Sequence, residues 1–313
     1  MALLGAARPD DGIGLLDLDV TALPSPTRRA RARGAVGALL GTPGGTLGSI
    51  IVLGLIVLAV FGPQLAPYSF SSIDVNATLQ GPSLHHLLGT DQLGRDILSR
   101  LIYGTRIELQ VAVPAVACAL FCGLVLGLLG GYLGGLVDNV VVLLTDTFQS
   151  FPAIVLALTL LVMLGSSLRN LVIVIAVAFL PNYARTSRAL VLSVKQNQYI
   201  LAERALGASR RRIMARHITP NIVAPLFILL AMDTPSAIAV EAGLSFLGLG
   251  VRPPNPSWGT VLADGFSSIY QAPWAVIFAS LALAIATIGF LTFGEAMRDV
   301  LDPRLRGVSR WRA

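Results

Sequence analysis

The chain has 313 residues, of which 54% are hydrophobic and only 13% are charged, and its mean hydropathy is +0.74. This composition excludes an ordinary soluble domain and predicts an all-α protein that crosses a membrane several times. The formal charge is +6; in such a protein a basic excess reflects Lys and Arg retained in the cytoplasm, so it does not indicate nucleic-acid binding.

Residues 1–46 are predicted to form a cytosolic, largely disordered tail, because acidic residues and then arginines alternate with Pro, Gly and Ala. The first apolar run, Thr46–Leu65, has about the 20 residues that a membrane span needs. A polar loop follows it. Residues 47–103 are therefore predicted to comprise the first span, an extracytoplasmic loop and an amphipathic helix.

The amphipathic helix is predicted at Gly89–Leu109, where apolar residues recur at helical spacing and acidic residues precede arginines by four places. Such a helix would lie at the membrane surface. The apolar face comprises Ile97, Leu98, Leu101 and Ile102, and the predicted ion pairs are Asp91–Arg95 and Asp96–Arg100.

Five further spans are predicted within residues 104–297. Gly123 and Gly127 have the spacing that lets two helices approach closely, and Pro152 is predicted to kink the third span. Cys118 and Cys122 lie in the second span and are predicted to be packing residues. The predicted spans two to six are Ile107–Leu129, Val137–Leu164, Leu171–Leu190, Pro220–Leu244 and Ala275–Met297.

A basic stretch separates spans four and five. A short helix is predicted at 196–207, ended by Gly207, whose missing Cβ permits a left-handed cap. Ala202 and Ala205 give this helix one smooth side, which fits close approach by a partner; the alternative is a solvated basic loop.

Charge counting predicts one orientation. With both termini in the cytoplasm, including a C-terminal tail at 298–313, 18 of the 23 Lys and Arg lie inside.

Carboxylates inside spans are candidates for a translocation path, because a charge in hydrocarbon is costly and usually faces a cavity or a partner. They are Asp146, Asp233 and Glu241. Asp233, Pro235 and Ser236 are predicted to interrupt span five. The alternative is that Asp146 or Glu241 forms a structural hydrogen bond between helices.

The sequence contains no nucleophile–base pattern, no metal-ligand cluster and no GxxxxGK[ST] phosphate loop. We therefore expect no catalytic, cofactor or metal site in this chain, so any ATP and Mg²⁺ would be bound by another polypeptide.

The basic stretch resembles the coupling-helix motif of bacterial ABC importer permeases, written Glu-Ala-Ala, three residues, Gly, nine residues, Ile-x-Leu-Pro. Gly207 and Pro220 hold the motif's spacing, while residues 201–203 read Leu-Ala-Glu and Thr219 replaces Leu. The resemblance implies that this helix docks on a cytosolic ATPase subunit. The ATPase-coupling residues that it implies are Tyr199, Ala202, Glu203, Arg204, Ala205, Leu206, Gly207 and Pro220.

Two other segments resemble the C-type permease subunit of dipeptide, oligopeptide and nickel importers. One is GTDxxGRDxxSRxxxGxR, which starts at Gly89, and the other is the loop that includes Ser257-Trp258-Gly259. The loop is either part of a docking face for a substrate-delivering protein or a mere connector. The extracytoplasmic residues singled out by the resemblance are Asp91, Arg95, Asp96, Arg100 and Trp258.

The resemblance implies a six-helix type I importer permease in the bacterial inner membrane. Its implied partners are a second homologous permease subunit, two cytosolic ATPase subunits or domains, an extracytoplasmic substrate-binding protein and membrane lipid. The implied substrate is a short peptide, with nickel or glutathione as alternatives. A proton-coupled carrier that uses the three carboxylates as a relay is the alternative from another class, although no inverted repeat is evident.

Overall fold

The structure is a computed structural model that describes residue 37 and residues 39–301. The predicted tails, 1–46 and 298–313, therefore lie mostly outside the described residues. The helices are α1 (Pro43–Leu65), α2 (Ile97–Leu133), α3 (Gly135–Gln149), α4 (Ala153–Leu164), α5 (Leu168–Val194), α6 (Gln198–Ala205), α7 (Thr219–Phe246), α8 (Trp258–Phe266) and α9 (Trp274–Leu301).

The all-α membrane fold is confirmed. Five of the helical segments are long and apolar enough to cross a membrane, and α3 with α4 passes the same test as a pair. That pair is bent by 90°, so the helix predicted as the third span is broken at Ser150–Pro152, next to the predicted kink at Pro152. Pro152 immediately precedes α4, where its missing N–H costs nothing, whereas inside a helix it would remove a backbone hydrogen bond.

The helix predicted at Gly89–Leu109 is confirmed only from Ile97 onward, and it is not a separate amphipathic helix. Residues 89–96 form turns around an isolated bridge between Thr90 and Asp96, and α2 starts at Ile97 and continues through the second span. The predicted segment boundary at 103/104 thus falls inside one helix. With 37 residues, α2 is about 56 Å long, well over the ~30 Å of a bilayer core, so part of it extends beyond the hydrocarbon.

Close packing of α2 on α5 holds the bundle together. A Cβ atom at Gly127 would lie 2.5 Å from the carbonyl oxygen of Ala184, which confirms the close approach predicted from the glycine spacing. Ala112, Ala115 and Ala119 of α2 are fully buried as well. Small residues let the two helix backbones approach closely, and the resulting dispersion contacts stabilise the pair. These contacts matter because lipid is as apolar as the side chains, so no hydrophobic driving force brings the helices together.

The bundle has two ends. Residues 66–96 and α8 lie at the cap end, where α1 and α7 finish and α2, α5 and α9 begin. Residues 195–218, which contain α6, lie at the opposite end, here called the loop end. Large apolar side chains such as Phe121 and Leu143 are two-thirds exposed on the flank between these ends, as expected for a surface in lipid.

Candidate functional site

The helix α6 at the loop end is terminated by a Schellman motif. Gly207 has φ of +80°, the N–H of Gly207 donates to the carbonyl of Arg204 at 3.0 Å, and the N–H of Ala208 donates to the carbonyl of Glu203 at 3.0 Å. This geometry satisfies carbonyls that the helix end would otherwise leave free. The structure thus has an eight-residue helix within the predicted range 196–207.

One side of α6 is tied to this chain. Ile200 is fully buried, and the guanidinium of Arg204 lies 5.1 Å from the ring centre of Tyr132 at the end of α2. Glu203 lies 3.5 Å from His217. Two charged residues of the predicted coupling set therefore face their own chain, and they fix the position of the helix.

The other side of α6 is exposed and mostly apolar. Leu206 is 84% exposed and Leu201 51%, and Ala202 and Ala205 are exposed beside them. Tyr199 is also partly exposed. An apolar surface on a polar loop, held in place by the opposite side of the same helix, is suited to contact with another protein.

The loop that contains α6 is joined directly to α7. Arg210–Arg212 forms a helical turn, Ile213–Ile218 is π-helical, and Pro220 lies in the first turn of α7. Pro is favourable there because the first N–H groups of a helix have no partner in the helix. Ile213 and Ile218 are buried in the core, so the connection is packed and not free.

At the cap end, two arginines and two carboxylates form an ionic cluster in which Asp91 and Arg100 are buried and Asp264 is partly exposed. Asp91 accepts from Arg95 Nε at 2.7 Å and from Arg100 Nη1 at 2.6 Å. Asp264 of α8 accepts from the same arginines at 2.9 and 2.8 Å. The predicted Asp91–Arg95 contact is present, but in a turn and not in a helix. Because Asp264 is 169 residues away from Arg95, the sequence could not reveal the fourth member.

The predicted Asp96–Arg100 ion pair is wrong. Asp96 has an extended backbone and caps α2, where its Oδ2 accepts from the N–H of Ser99 at 2.8 Å and from its hydroxyl at 2.7 Å. Its Oδ1 lies 3.0 Å from His86 Nδ1. A residue in this N-cap position directs its side chain at the helix terminus, and not along the helix towards position i+4.

Trp258, which is 2% exposed, joins α8 to the first turns of α2. Its backbone N–H donates to Glu108 Oε1 at 2.9 Å, and its indole N–H donates to the carbonyl of Leu101 at 3.1 Å. Glu241 is fully buried beside Glu108 and accepts from the Ser245 hydroxyl at 2.6 Å. Glu241 thus lies inside the bundle and away from its exposed polar face.

The other two predicted path residues lie on an exposed polar face, which we call the polar band. Asp146 of α3 accepts from Arg185 Nη2 of α5 at 2.7 Å, and both side chains are more than half exposed. One turn along α5, Asn182 Nδ2 donates to Asp233 Oδ2 of α7 at 3.2 Å. The polar band is defined by these four residues.

The predicted interruption of span five is wrong, since α7 runs unbroken from Thr219 to Phe246 with Pro225 and Pro235 inside it. A proline in a membrane helix removes one backbone hydrogen bond, and neighbouring helices can compensate for that loss.

Two groups in the spans were missed by the sequence reasoning. One is Glu108, and the other is the pair in which Arg188 Nε approaches Asp138 Oδ1 to 2.5 Å. The rule that selected the other carboxylates would have found Glu108 and Asp138, because both lie in predicted apolar spans. The described residues contain no group of three or more His, Cys, Asp or Glu that could hold a metal ion.

Comparison with known proteins gives one consistent family. Residues 36–82 match the N-terminal transmembrane domain of oligopeptide transport permease C, and residues 123–307 match the binding-protein-dependent transport system inner membrane component.

Three relatives illustrate the similarity. The dipeptide transport system permease protein DppC of Alkalihalophilus pseudofirmus is 39% identical over 83% of this chain and 86% of its own length. The di/tripeptide transport system permease protein DppC of Pseudomonas aeruginosa is 38% identical over 85% of this chain and 90% of its own. The glutathione transport system permease protein GsiD of Shigella flexneri is 40% identical over 83% and 86%.

The family match covers more than half of the chain and coincides with five of the helices that build the membrane bundle. The relatives align over most of their own length, and each is named as a transport system permease protein. This chain therefore belongs to the family of binding-protein-dependent transport system inner membrane components.

Proposed function

We propose that this chain is the C-type permease subunit of an ATP-driven ABC importer for short peptides. The observation that carries the proposal is α6, an exposed apolar helix fixed to its own bundle by Ile200 and Arg204. A carrier that works alone has no use for such a surface. An ATPase subunit with a matching groove would bury Leu201 and Leu206.

Movement of the ATPase would reach the membrane through α7. The segment from Arg210 to Phe246 is one continuous apolar helical span of 37 residues, and α6 precedes it by a capped turn. A displaced α6 therefore shifts the loop end of α7 and, with it, Asp233 in the middle of the helix. ATP binding and hydrolysis in the partner would thus bias the bundle between two states.

The polar band is the proposed wall of the translocation path. A second, homologous permease subunit would face it, so that Asp146, Arg185, Asn182 and Asp233 meet water and substrate and not lipid. Ionisable groups in spans usually face such a cavity.

The cap end is proposed to face the extracytoplasmic binding protein, with the loop end and both termini in the cytoplasm, as the Lys and Arg distribution favours. ATP and Mg²⁺ would be bound by two ATPase subunits or domains. Lipid would cover the remaining apolar flank.

The substrate proposal follows from relatives named for dipeptide and di/tripeptide transport. Glutathione is the second candidate, because relatives of similar identity are named for glutathione transport. Nickel is the third candidate. The chemical groups of the polar band bear on which of the three solutes is transported.

The test is gentle solubilisation of the tagged chain, identification of co-purifying proteins, and uptake by the reconstituted complex. We expect a second permease and ATPases to co-purify, and uptake of labelled di- and tripeptides that requires ATP and the binding protein. Uptake of glutathione or of nickel, without uptake of peptides, would make that solute the substrate in place of short peptides. A chain that purifies alone and transports under a proton gradient without ATP would overturn the proposal in favour of a carrier.

A further inference from the structure

We infer that Asp233 and Asn182 form a binding site for the α-ammonium group of the peptide as it passes through the membrane. The inference rests on the proposed function, and it adds the chemical group that the permease itself recognises.

Asp233 lies in mid-membrane without a cation. It is 14 residues from the start of α7 at Thr219, about 21 Å along a helix of about 42 Å. Its side chain is half-buried, and none of the ion pairs among the described residues includes it. A carboxylate at this depth is costly unless a positive group meets it. We infer that the positive charge that balances Asp233 comes from outside the described residues.

The geometry of Asn182 favours a donor-rich cation. Only the amide NH₂ can donate to the Asp233 carboxylate, so their contact at 3.2 Å leaves the amide oxygen of Asn182 as an acceptor. Asn182 is exposed. Asp233 also keeps acceptor capacity, because a carboxylate has about four lone-pair sites. Adjacent oxygens on two helices match an ammonium group, which has three N–H donors and no acceptor.

The terminal carboxylate of a peptide has no equivalent partner on the polar band. Arg185 is the cation there, and Asp146 already neutralises it at 2.7 Å. The band therefore carries one unpaired negative charge and no unpaired positive charge among these four residues. This asymmetry favours a ligand that is bound through its amino terminus. Dipeptides, tripeptides and glutathione all carry a free α-ammonium group.

The experiment first measures uptake. Complexes with Asp233→Asn, Asp233→Glu and the control Glu295→Gln, an exposed carboxylate on α9, are reconstituted with saturating binding protein and labelled dialanine. We expect Asp233→Asn to lower the maximal uptake rate about tenfold, the effect of losing one hydrogen-bonded charge. Asp233→Glu should retain most of the rate, and Glu295→Gln should match wild type.

A second measurement probes the charge at the site without using any peptide. Ser236 is exposed one turn beyond Asp233, so Ser236→Cys is made in a background in which Cys118 and Cys122 are alanine. The modification rates by 2-aminoethyl and 2-sulfonatoethyl methanethiosulfonate are then compared. We expect the ratio of the two rates, divided by the same ratio for a free thiol in solution, to favour the cationic reagent. Asp233→Asn should reduce this ratio about tenfold, because one charge a few ångströms away acts with opposite sign on the two reagents.

The outcomes separate the two proposals. A wild-type complex that imports no peptide overturns the proposed function, while the reagent ratio still decides the charge at Asp233. Peptide import with unchanged uptake and an unchanged ratio in Asp233→Asn overturns only the ammonium site. The ammonium site is also overturned if the reagent rates at Ser236→Cys, with Asp233 intact, show no preference for the cationic reagent. That result would mean that an arginine or lysine of the second permease neutralises Asp233.

Discussion

Replacing Asp91 with asparagine removes a carboxylate that holds both Arg95 and Arg100 at the cap end. The Asp91 and Arg100 side chains are only 1% and 4% exposed, so the variant leaves two buried or partly buried guanidinium groups with Asp264 alone. Removing one partner of a buried ion pair costs about 3–5 kcal/mol. We therefore expect local opening of the segment around residues 79–97 to become easier by about that free energy.

The assay is hydrogen–deuterium exchange on the purified complex. The informative amides are those of Leu79 and Ile97, which donate to the carbonyls of Asp91 and Gly89 at 3.0 and 3.1 Å. A cost of about 3 kcal/mol corresponds to roughly 150-fold faster exchange.

Two variants calibrate this result. Asp264→Asn should cost less than about 1 kcal/mol, because the Asp264 side chain is 37% exposed and its ion pairs are screened by solvent. Asp74→Asn should change little, since asparagine can still accept the Asn76 N–H through its side-chain oxygen. Exchange in Asp91→Asn no faster than in Asp74→Asn would refute the reasoning.

Three further predictions concern packing and coupling. Gly127→Ala forces a Cβ against a carbonyl oxygen of the facing helix and should cost about 1–3 kcal/mol of stability, measured as a lower unfolding temperature of the complex in detergent. The control is Gly54→Ala, whose added Cβ meets open space. An equal loss in both variants would contradict the packing argument. Gly207→Pro fixes φ near about −65° where the chain needs +80°, so ATP hydrolysis should persist without uptake in proteoliposomes, and normal uptake would contradict the role of α6. Trp258→Phe removes the indole donor to the buried Leu101 carbonyl, which keeps the Thr105 hydroxyl as a donor at 2.9 Å. The unfolding temperature should fall by an amount equivalent to about 0.5–1.5 kcal/mol, the net worth of one hydrogen bond; an unchanged temperature would contradict this role of the indole.

Spans and caps could be read from local sequence. Apolar runs long enough for the bilayer predicted the five helical segments that are long and apolar enough to cross a membrane, as well as the apolar bent pair α3–α4, because hydrocarbon penalises any other composition. The glycine at 207 predicted the end of α6, because a left-handed residue without strain is nearly always Gly. The close approach at Gly127 followed from its spacing to Gly123 on one helix face.

Predictions that depended on local pairing rules failed where distant residues compete. Asp96 was expected to bind Arg100, but it caps α2, while Arg100 pairs with Asp91 and Asp264. The i,i+4 rule applies only inside a helix, and the backbone at Asp96 is extended.

The class of the protein, its membrane segments and its family motifs could be read from the amino-acid order, since these depend on composition and short-range spacing. Which charges are neutralised depends on how the helices pack together. In the folded bundle Asp146 is paired with Arg185, whereas Asp233 accepts from Asn182, lies beside Tyr183 and has no cation partner among the described residues. The electrostatic balance of a group in a membrane is set by atoms within a few ångströms, and those atoms come from helices far apart in the sequence.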